Sequence, residues 1–416
     1  MALEPRSDKV FAEEPLADPT VQTGTATDAP TGERLLAIDI ARGLALLGVG
    51  VVNVLAFAQV WSSVHALDLA HTAVDVVAEY AVAMLFIHRC YPLLAFLFGV
   101  GLAWQWQLLA EPRKVRRLRP RLWALLLIGV CHGLLLWPGD VLSTYAIVGL
   151  CVVALAGASA KRLRRWAIAA YALAAIFYGA AGAMMWLWAG PPSLLPEVPS
   201  SFAQSTLRVA LAMHPGEFLE RGLAQTLAPD LWAHVLFGMW AARSGALVAF
   251  LRPVPTADTR SRQPWHVAGA TLLAGGSILE IIAAGHGGWA ARSNHDLGLA
   301  LMTLAAVPVS VGAIWAWLAL ATHLARAQPS LLRTLAIASG RAPLTQFIGQ
   351  SLLFALLFND SLIGWHGEVG RATCVAIALL VWQVLSAGIA RWFARGHRHG
   401  PLEVVWRGLT RRLTRA

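Results

Sequence analysis

Residues 35–60 read LLAIDIARGLALLGVGVVNVLAFAQV. A helix crosses the hydrocarbon core of a bilayer with about 20 mostly apolar residues. This stretch supplies them, with only Asp39 and Arg42 charged. The pattern recurs near 76–110, 122–137, 141–160, 166–189, 231–251, 266–286, 297–322, 335–358 and 372–394. The predicted fold class is therefore all-α, a polytopic transmembrane helical bundle of about ten spans. The run 122–137 is short. The run 76–110 is long, and because Glu79 falls early in it, an interfacial first part and a spanning part from about Met84 are expected.

Composition agrees with this reading. The 416 residues are 57% hydrophobic and 13% charged, with a mean hydropathy of +0.59. Soluble domains carry about 25% charged residues, so a soluble enzyme, a disordered protein and a coiled coil are excluded. The four cysteines, Cys90, Cys131, Cys151 and Cys374, form no CxxC pair and no disulfide framework. They read as small buried apolar residues.

The net charge is +10, and its placement matters more than its size. Basic residues cluster in the linker 111–121, which includes Arg113, Lys114, Arg116, Arg117, Arg119 and Arg121, and again at Lys161, Arg162, Arg164 and Arg165. Weaker groups follow at Arg252, Arg260 and Arg262, and at Arg326 and Arg333. The chain ends with Arg395, Arg398, Arg407, Arg411, Arg412 and Arg415. These clusters fall at every second boundary, whereas the opposite loops hold Arg208, Arg221, Arg292 and Arg371. By the positive-inside rule both termini are expected in the cytoplasm. The basic excess is then a topology signal that needs no nucleic-acid partner; the bilayer is the expected partner.

Residues 1–33 are polar and lack an apolar signal region, so they read as a disordered cytoplasmic tail. The transmembrane domain covers 34–394, and 395–416 form a basic cytoplasmic segment. The longest loop, 190–230, lies outside on this topology. Within it, 215–221 reads as a short helix start with Pro215 near its first position. It either caps an outward-facing cavity or runs along the lipid surface.

Buried polar residues are the informative ones, since an ionisable group at mid-membrane costs about 2.5–3.5 kcal/mol. Asp39 and Arg42 are neighbours on one helical face. Asn53 lies about three turns further along that face. The pair either lines a cavity or neutralises itself near the interface. Arg89 follows His88 near the outer start of the second span, where it can snorkel outward or bind a polar group. His132 lies inside the third span and Asp140 in the tight turn before the fourth, which carries Tyr145. A carboxylate orienting an imidazole makes a general base. The alternative is a helix-capping Asp140 and a His132 bonded to nearby backbone. Glu280 is unpaired by local sequence, open to a proton relay, a substrate contact or a salt bridge with an Arg of another helix. Gln346 and Gln350 are placed to bridge helices or line a cavity. His286, His295 and the His397/His399 pair lack metal spacing and read as surface histidines.

Several of these segments together resemble one family. The opening 34–48 with Asn53, the run Phe96-Leu-Phe-Gly99-Val-Gly101 and the segment 121–145 around His132, Asp140 and Tyr145 resemble the YeiB-like family. So do 340–351 around Gln346 and Gln350, and 400–410 around Glu403 and Trp406. This is a family of bacterial multi-pass membrane proteins classed as a domain of unknown function. Arg89 stands where that family usually has Lys, and Gln346 where it usually has Asn. The family is in turn remotely similar to membrane acyltransferases that move an acyl group from cytoplasmic acyl-CoA to a sugar. The resemblance implies a bacterial inner-membrane protein with no bound cofactor and acyl-CoA as co-substrate. Its acceptor would be an envelope glycan or small polar molecule, with His132 as base, Asp140 as its orienting group, and Asp39, Arg42, Asn53, Arg89, Tyr145, Glu280 and Gln350 around the substrate. A transporter or exporter of a small polar solute is the alternative, with the intramembrane charges as relay or binding groups.

Overall fold

The computed structural model describes residues 32–58, 72–109, 114–187, 200–251, 263–285 and 297–415. Residues 1–31 of the tail expected over 1–33, residues 190–199 of the loop expected over 190–230, and Arg252, Arg260, Arg262, His286, Arg292, His295 and Asp296 lie outside them. The described residues form helices and no strand. These are α1 (Gly32–Ala58), α2 (Ala73–Leu85), α3 (Cys90–Leu108), α4 (Lys114–Leu135), α5 (Leu142–Val152), α6 (Ala160–Leu187), α7 (Leu207–Leu227), α8 (Pro229–Arg243), α9 (Ala246–Leu251), α10 (Gln263–Gly285), α11 (Leu297–Arg326), α12 (Leu331–Arg341), α13 (Pro343–Phe358), α14 (Arg371–Ala394) and α15 (Pro401–Arg415).

Six segments are long and apolar enough to cross a membrane: Leu36–Ala58, Ala73–Leu108, Leu118–Leu135, Ala160–Met184, Ala300–Arg326 and Arg371–Ala394. Leu142–Gly157, Val267–Ala283 and Pro343–Phe358 are shorter apolar helices. The outward face of α6 presents Trp166, Ile168, Leu173, Ile176 and Phe177. An apolar surface of this kind fits lipid rather than water.

Local chemistry sets the breaks. Thr72 and Asp75 form a capping box that starts α2. The α2–α3 junction turns at His88, whose φ of 55° is left-handed. The long run 76–110 is thus two helices, and its second begins at Cys90 rather than near Met84. Pro343 opens α13 at its first turn and splits the run 335–358 into α12 and α13. Gly245, with φ of 76°, separates α8 from α9. Two other expectations shift. The basic linker 111–121 is helical from Lys114 onward as the start of α4. Pro215 sits inside α7, not at its start.

Contacts fix which termini share an end of the bundle. At one end the Gly367 amide donates to the Ala58 carbonyl (2.8 Å), the His366 ring to the Phe57 carbonyl (2.8 Å), and the Asp360 amide to the Phe202 carbonyl (2.8 Å). Phe57 stacks on Trp137 there and packs on Phe202 and Phe354. At the other end the Trp406 indole donates to the Arg121 carbonyl (2.9 Å), and Arg326 to the Leu251 carbonyl (2.9 Å). Glu403 accepts from the Leu344 and Thr345 amides at the start of α13. This second end carries Arg121, Arg326, Arg333, Arg341, Arg407 and Arg411. Below the surface, α1 and α12 meet through glycines. A Cβ on Gly43 would overlap the Ala336 carbonyl, and one on Gly340 the Asp39 carbonyl.

Candidate functional site

The last turn of α4 and the turn before α5 bring His132 and Asp140 together. His132 Nδ1 lies 2.8 Å from Asp140 Oδ1. The other carboxylate oxygen accepts the Ser143 amide at 2.7 Å. Asp140 therefore contacts the imidazole with one oxygen and accepts from the first turn of α5 with the other. Gly129 makes the approach possible, because a Cβ there would overlap the Ser143 amide and crowd Asp140. His132 is 3% exposed. Its ring packs against Phe347 of α13 (centroids 5.2 Å apart) and edge-on to Trp137 (6.4 Å). Its Nε2 is buried with no hydrogen-bond partner among the described residues. An imidazole held at one nitrogen by a carboxylate, with the other nitrogen left over, has the form of a general base.

Beside this pair lies a cavity of about 210 Å³. Tyr91, Trp137, Thr144, Tyr145 and Tyr178 supply aromatic and hydroxyl walls, and Arg221, Gln225, Asp230 and His234 supply polar ones. His132 and Asp140 are not part of this lining. Trp137 is the shared residue, lining the cavity on one side and facing the imidazole on the other. Tyr91 is fixed by its hydroxyl, which donates to Asn53 Oδ1. The Tyr145 hydroxyl donates to the Tyr91 carbonyl at 3.3 Å. Opposite them, the Tyr178 hydroxyl donates to Asp230 Oδ1 at 2.9 Å. His234 Nε2 is 3.0 Å from Ser310 Oγ. Helix α7 covers this end, tied to α4 by the His214 ring on the Leu134 carbonyl (3.1 Å) and to the 200–203 turn by Glu217 on the Ser201 amide (2.8 Å). Burial lowers the pKa of His214 below its ordinary 6.5 and lowers that of Arg221 despite Glu217 beside it.

The structure gathers His132, Asp140, Asn53 and Tyr145 into one region and disperses the other candidates. Asp39 and Arg42 pair at 3.2 Å at the opposite end, where Arg42 also donates to the Gly340 carbonyl. Arg89 does not snorkel outward. It is 4% exposed and bonds Glu280 Oε2 at 2.6 Å, with Ser277 beside it. Glu280 thus takes the salt bridge to another helix. Gln350 donates to the Leu46 carbonyl (3.3 Å), and Gln346 accepts from Ser386 (3.2 Å), so both bridge helices. A further buried pair, Glu79 with Arg371, ties α2 to α14. Arg371, expected in an outer loop, is fully packed there, and Glu79 is buried rather than interfacial. Of the cysteines, Cys90 and Cys374 are buried, but Cys131 and Cys151 are exposed on the bundle surface. His397 is exposed and stacked on Trp392.

Comparison with known proteins adds two relatives and a partial family match. Residues 252–413 match the sequence model described as "Protein of unknown function (DUF418)". The chain is 26% identical to the uncharacterized protein YeiB of Escherichia coli (strain K12) over 91% of its own length and 97% of that protein's. The chain is similar to YeiB over nearly its whole length. A second relative, the uncharacterized protein YxaH of Bacillus subtilis (strain 168), is 33% identical over 35% of this chain and 38% of its own length. No solved structure matches. The family match spans α10 to α15 and leaves the His132–Asp140 pair and the whole cavity lining on the N-terminal side of it.

Tyr178, Asp230, His234 and Gln225 are not among the candidates the sequence pointed to. One local signal existed. Asp230 and His234 are four apart at the start of α8, hence on one face.

Proposed function

We propose that this YeiB-like protein is a membrane-embedded acyltransferase of the bacterial inner membrane, with ten spans and both termini in the cytoplasm. The end that carries Arg121, Arg326, Arg333, Arg407 and Arg411 is the cytoplasmic one by the positive-inside rule. Acyl-CoA approaches there, its phosphates drawn chiefly by the basic stretch 113–121. The acceptor, an envelope sugar or small polar molecule, occupies the cavity at the far end. Aromatic faces of Tyr91, Trp137 and Tyr145 and polar groups of Gln225 and Asp230 suit such a ligand.

The observation that carries the reading is the buried His132–Asp140 pair with its uncommitted Nε2. His132 Nε2 removes the proton from the acceptor hydroxyl or amine as that atom attacks the thioester carbonyl. The carbon–sulfur bond then breaks, and the CoA thiolate takes the proton from the imidazolium. Asp140 keeps the proton on Nδ1 throughout. Trp137 must move aside for acceptor and imidazole to meet. Asn53 acts by holding Tyr91.

The transporter reading has less support. Its relay candidates Glu280 and Asp39 are each engaged by an arginine, as structural pairs are. One experiment separates the two. Purified protein is assayed for saturable acyl-CoA binding and acyl transfer to envelope fractions, and reconstituted vesicles for solute uptake. Binding with transfer supports the acyltransferase. Saturable uptake without binding of acyl-CoA contradicts it.

A further inference from the structure

Helix α15 is strongly amphipathic and packs along the start of α4. Trp406 anchors it, donating to the Arg121 carbonyl, while the Arg121 guanidinium lies 4.9 Å above the Trp406 ring. Two cavities flank this contact and share Arg121, Thr410 and Arg411. One, of about 350 Å³, is lined by Arg121, His399, Trp406, Arg407, Thr410 and Arg411 and contains no carboxylate. The other, of about 470 Å³, continues from it along Leu108, Leu109 and Leu118. A cationic pocket therefore opens onto an apolar trough.

Four arginines, Arg121, Arg407, Arg411 and Arg415, line these two cavities, and none makes an ion pair among the described residues. The acid of α15, Glu403, is committed to the Leu344 and Thr345 amides and the Thr345 hydroxyl. Like charges held together without a counter-ion repel one another, and a bound anion removes that cost. The Thr410 and Thr414 hydroxyls donate to helix carbonyls and keep their oxygens as acceptors only, so the arginines are the groups that recognise the anion. The apolar trough beside them fits a chain rather than a free ion. The outward side chains Val404, Val405 and Leu413 are half exposed, as on a helix lying at a membrane interface.

We infer that the α4–α15 groove binds an anionic phospholipid, its phosphate on Arg121, Arg407 and Arg411 and the upper part of an acyl chain along Leu108, Leu109 and Leu118. The inference does not depend on the acyltransferase reading. The lipid fastens α15 to the bundle.

The test compares full-length wild type with the triple variant Arg407→Gln/Arg411→Gln/Arg415→Gln. A second triple variant, Arg162→Gln/Arg164→Gln/Arg165→Gln, removes the same charge from exposed α6 positions at the same end. Each is titrated in detergent with phosphatidylglycerol, phosphatidylcholine, inorganic phosphate and palmitoyl-CoA, followed by thermal midpoint and native mass spectrometry. Wild type and the α6 variant should retain phosphatidylglycerol in preference to phosphatidylcholine. The α15 variant should bind it at least about 25-fold more weakly, since Arg407 and Arg411 each contribute about fivefold to holding the phosphate. Equal response to the two lipids overturns the inference, as does equal loss in both variants. So does a full response to inorganic phosphate alone, or displacement of the lipid by stoichiometric palmitoyl-CoA, which would assign the groove to that thioester. None of these outcomes reports on His132.

Discussion

Arg89 and Glu280, 191 residues apart in sequence, meet in a buried ion pair with Nη2 2.6 Å from Oε2. Removing one member of such a pair leaves an uncompensated charge, at a cost of about 3–5 kcal/mol, whereas replacing both with apolar residues is often neutral. Glu280→Leu alone should lower the thermal midpoint of the purified protein sharply. The double variant Arg89→Met/Glu280→Leu should recover most of the loss. If the double variant is no more stable than the single one, the pair is not what Arg89 and Glu280 hold together.

Gly340 abuts the Asp39 carbonyl, and Gly43 the Ala336 carbonyl. Gly340→Leu must push α12 off α1 and should cost about 1–3 kcal/mol, as overpacking does. Folded yield and thermal midpoint measure it. Gly216→Leu, where a Cβ meets nothing within 4 Å, should leave both unchanged.

His214 gives a pH signature. Burial holds its folded pKa below the ordinary value of 6.5. Above 6.5 the ring is neutral in both states, and its contribution to stability is fully present. As pH falls through 6.5 the unfolded chain takes up the proton first, so stability is lost down to the folded pKa and then levels off. Subtracting the thermal-midpoint profile of His214→Gln from that of wild type isolates this ring. A flat difference across 6.5 would show that His214 is not shifted. Glu217 and Arg221, which also act on it, are unchanged in the comparison.

Tyr178 donates to Asp230 at the cavity wall. Tyr178→Phe removes that donor and leaves the ring. A hydrogen bond to a charged group contributes about 1.5–3 kcal/mol, so acceptor KM should rise about tenfold or more with kcat little changed. A fall in kcat at constant KM would place Tyr178 in the chemistry instead.

Much of the architecture was legible because hydropathy and charge report directly on bilayer span and end. Each apolar run corresponds to a helix or a broken helix, and among the described residues Arg121, Arg326, Arg333, Arg407 and Arg411 share one end. Pairings across the bundle were not legible. Nothing near Arg89 in sequence points to Glu280, and Glu79 looks interfacial until Arg371 arrives from α14. Cys131 and Cys151 were expected to be buried because burial in an aqueous protein is the usual fate of an apolar thiol. In lipid, exposure costs such a residue little. The His132–Asp140 pair was legible because it is local, eight residues apart across one turn. The cavity beside it was not, since α3, the α4–α5 turn, α5, α6, α7 and α8 all contribute.

The most direct measurement is transfer of a labelled acyl group from acyl-CoA to an envelope fraction by matched, folded preparations of wild type, His132→Ala and Asp140→Asn. Wild type should transfer label. Loss of a general base costs about 10²–10⁴-fold, so His132→Ala should fall by at least about 100-fold, and Asp140→Asn should fall with it because the imidazole loses its fixed tautomer. Transfer by His132→Ala at the wild-type rate, or no transfer by wild type to any envelope fraction, would contradict the account.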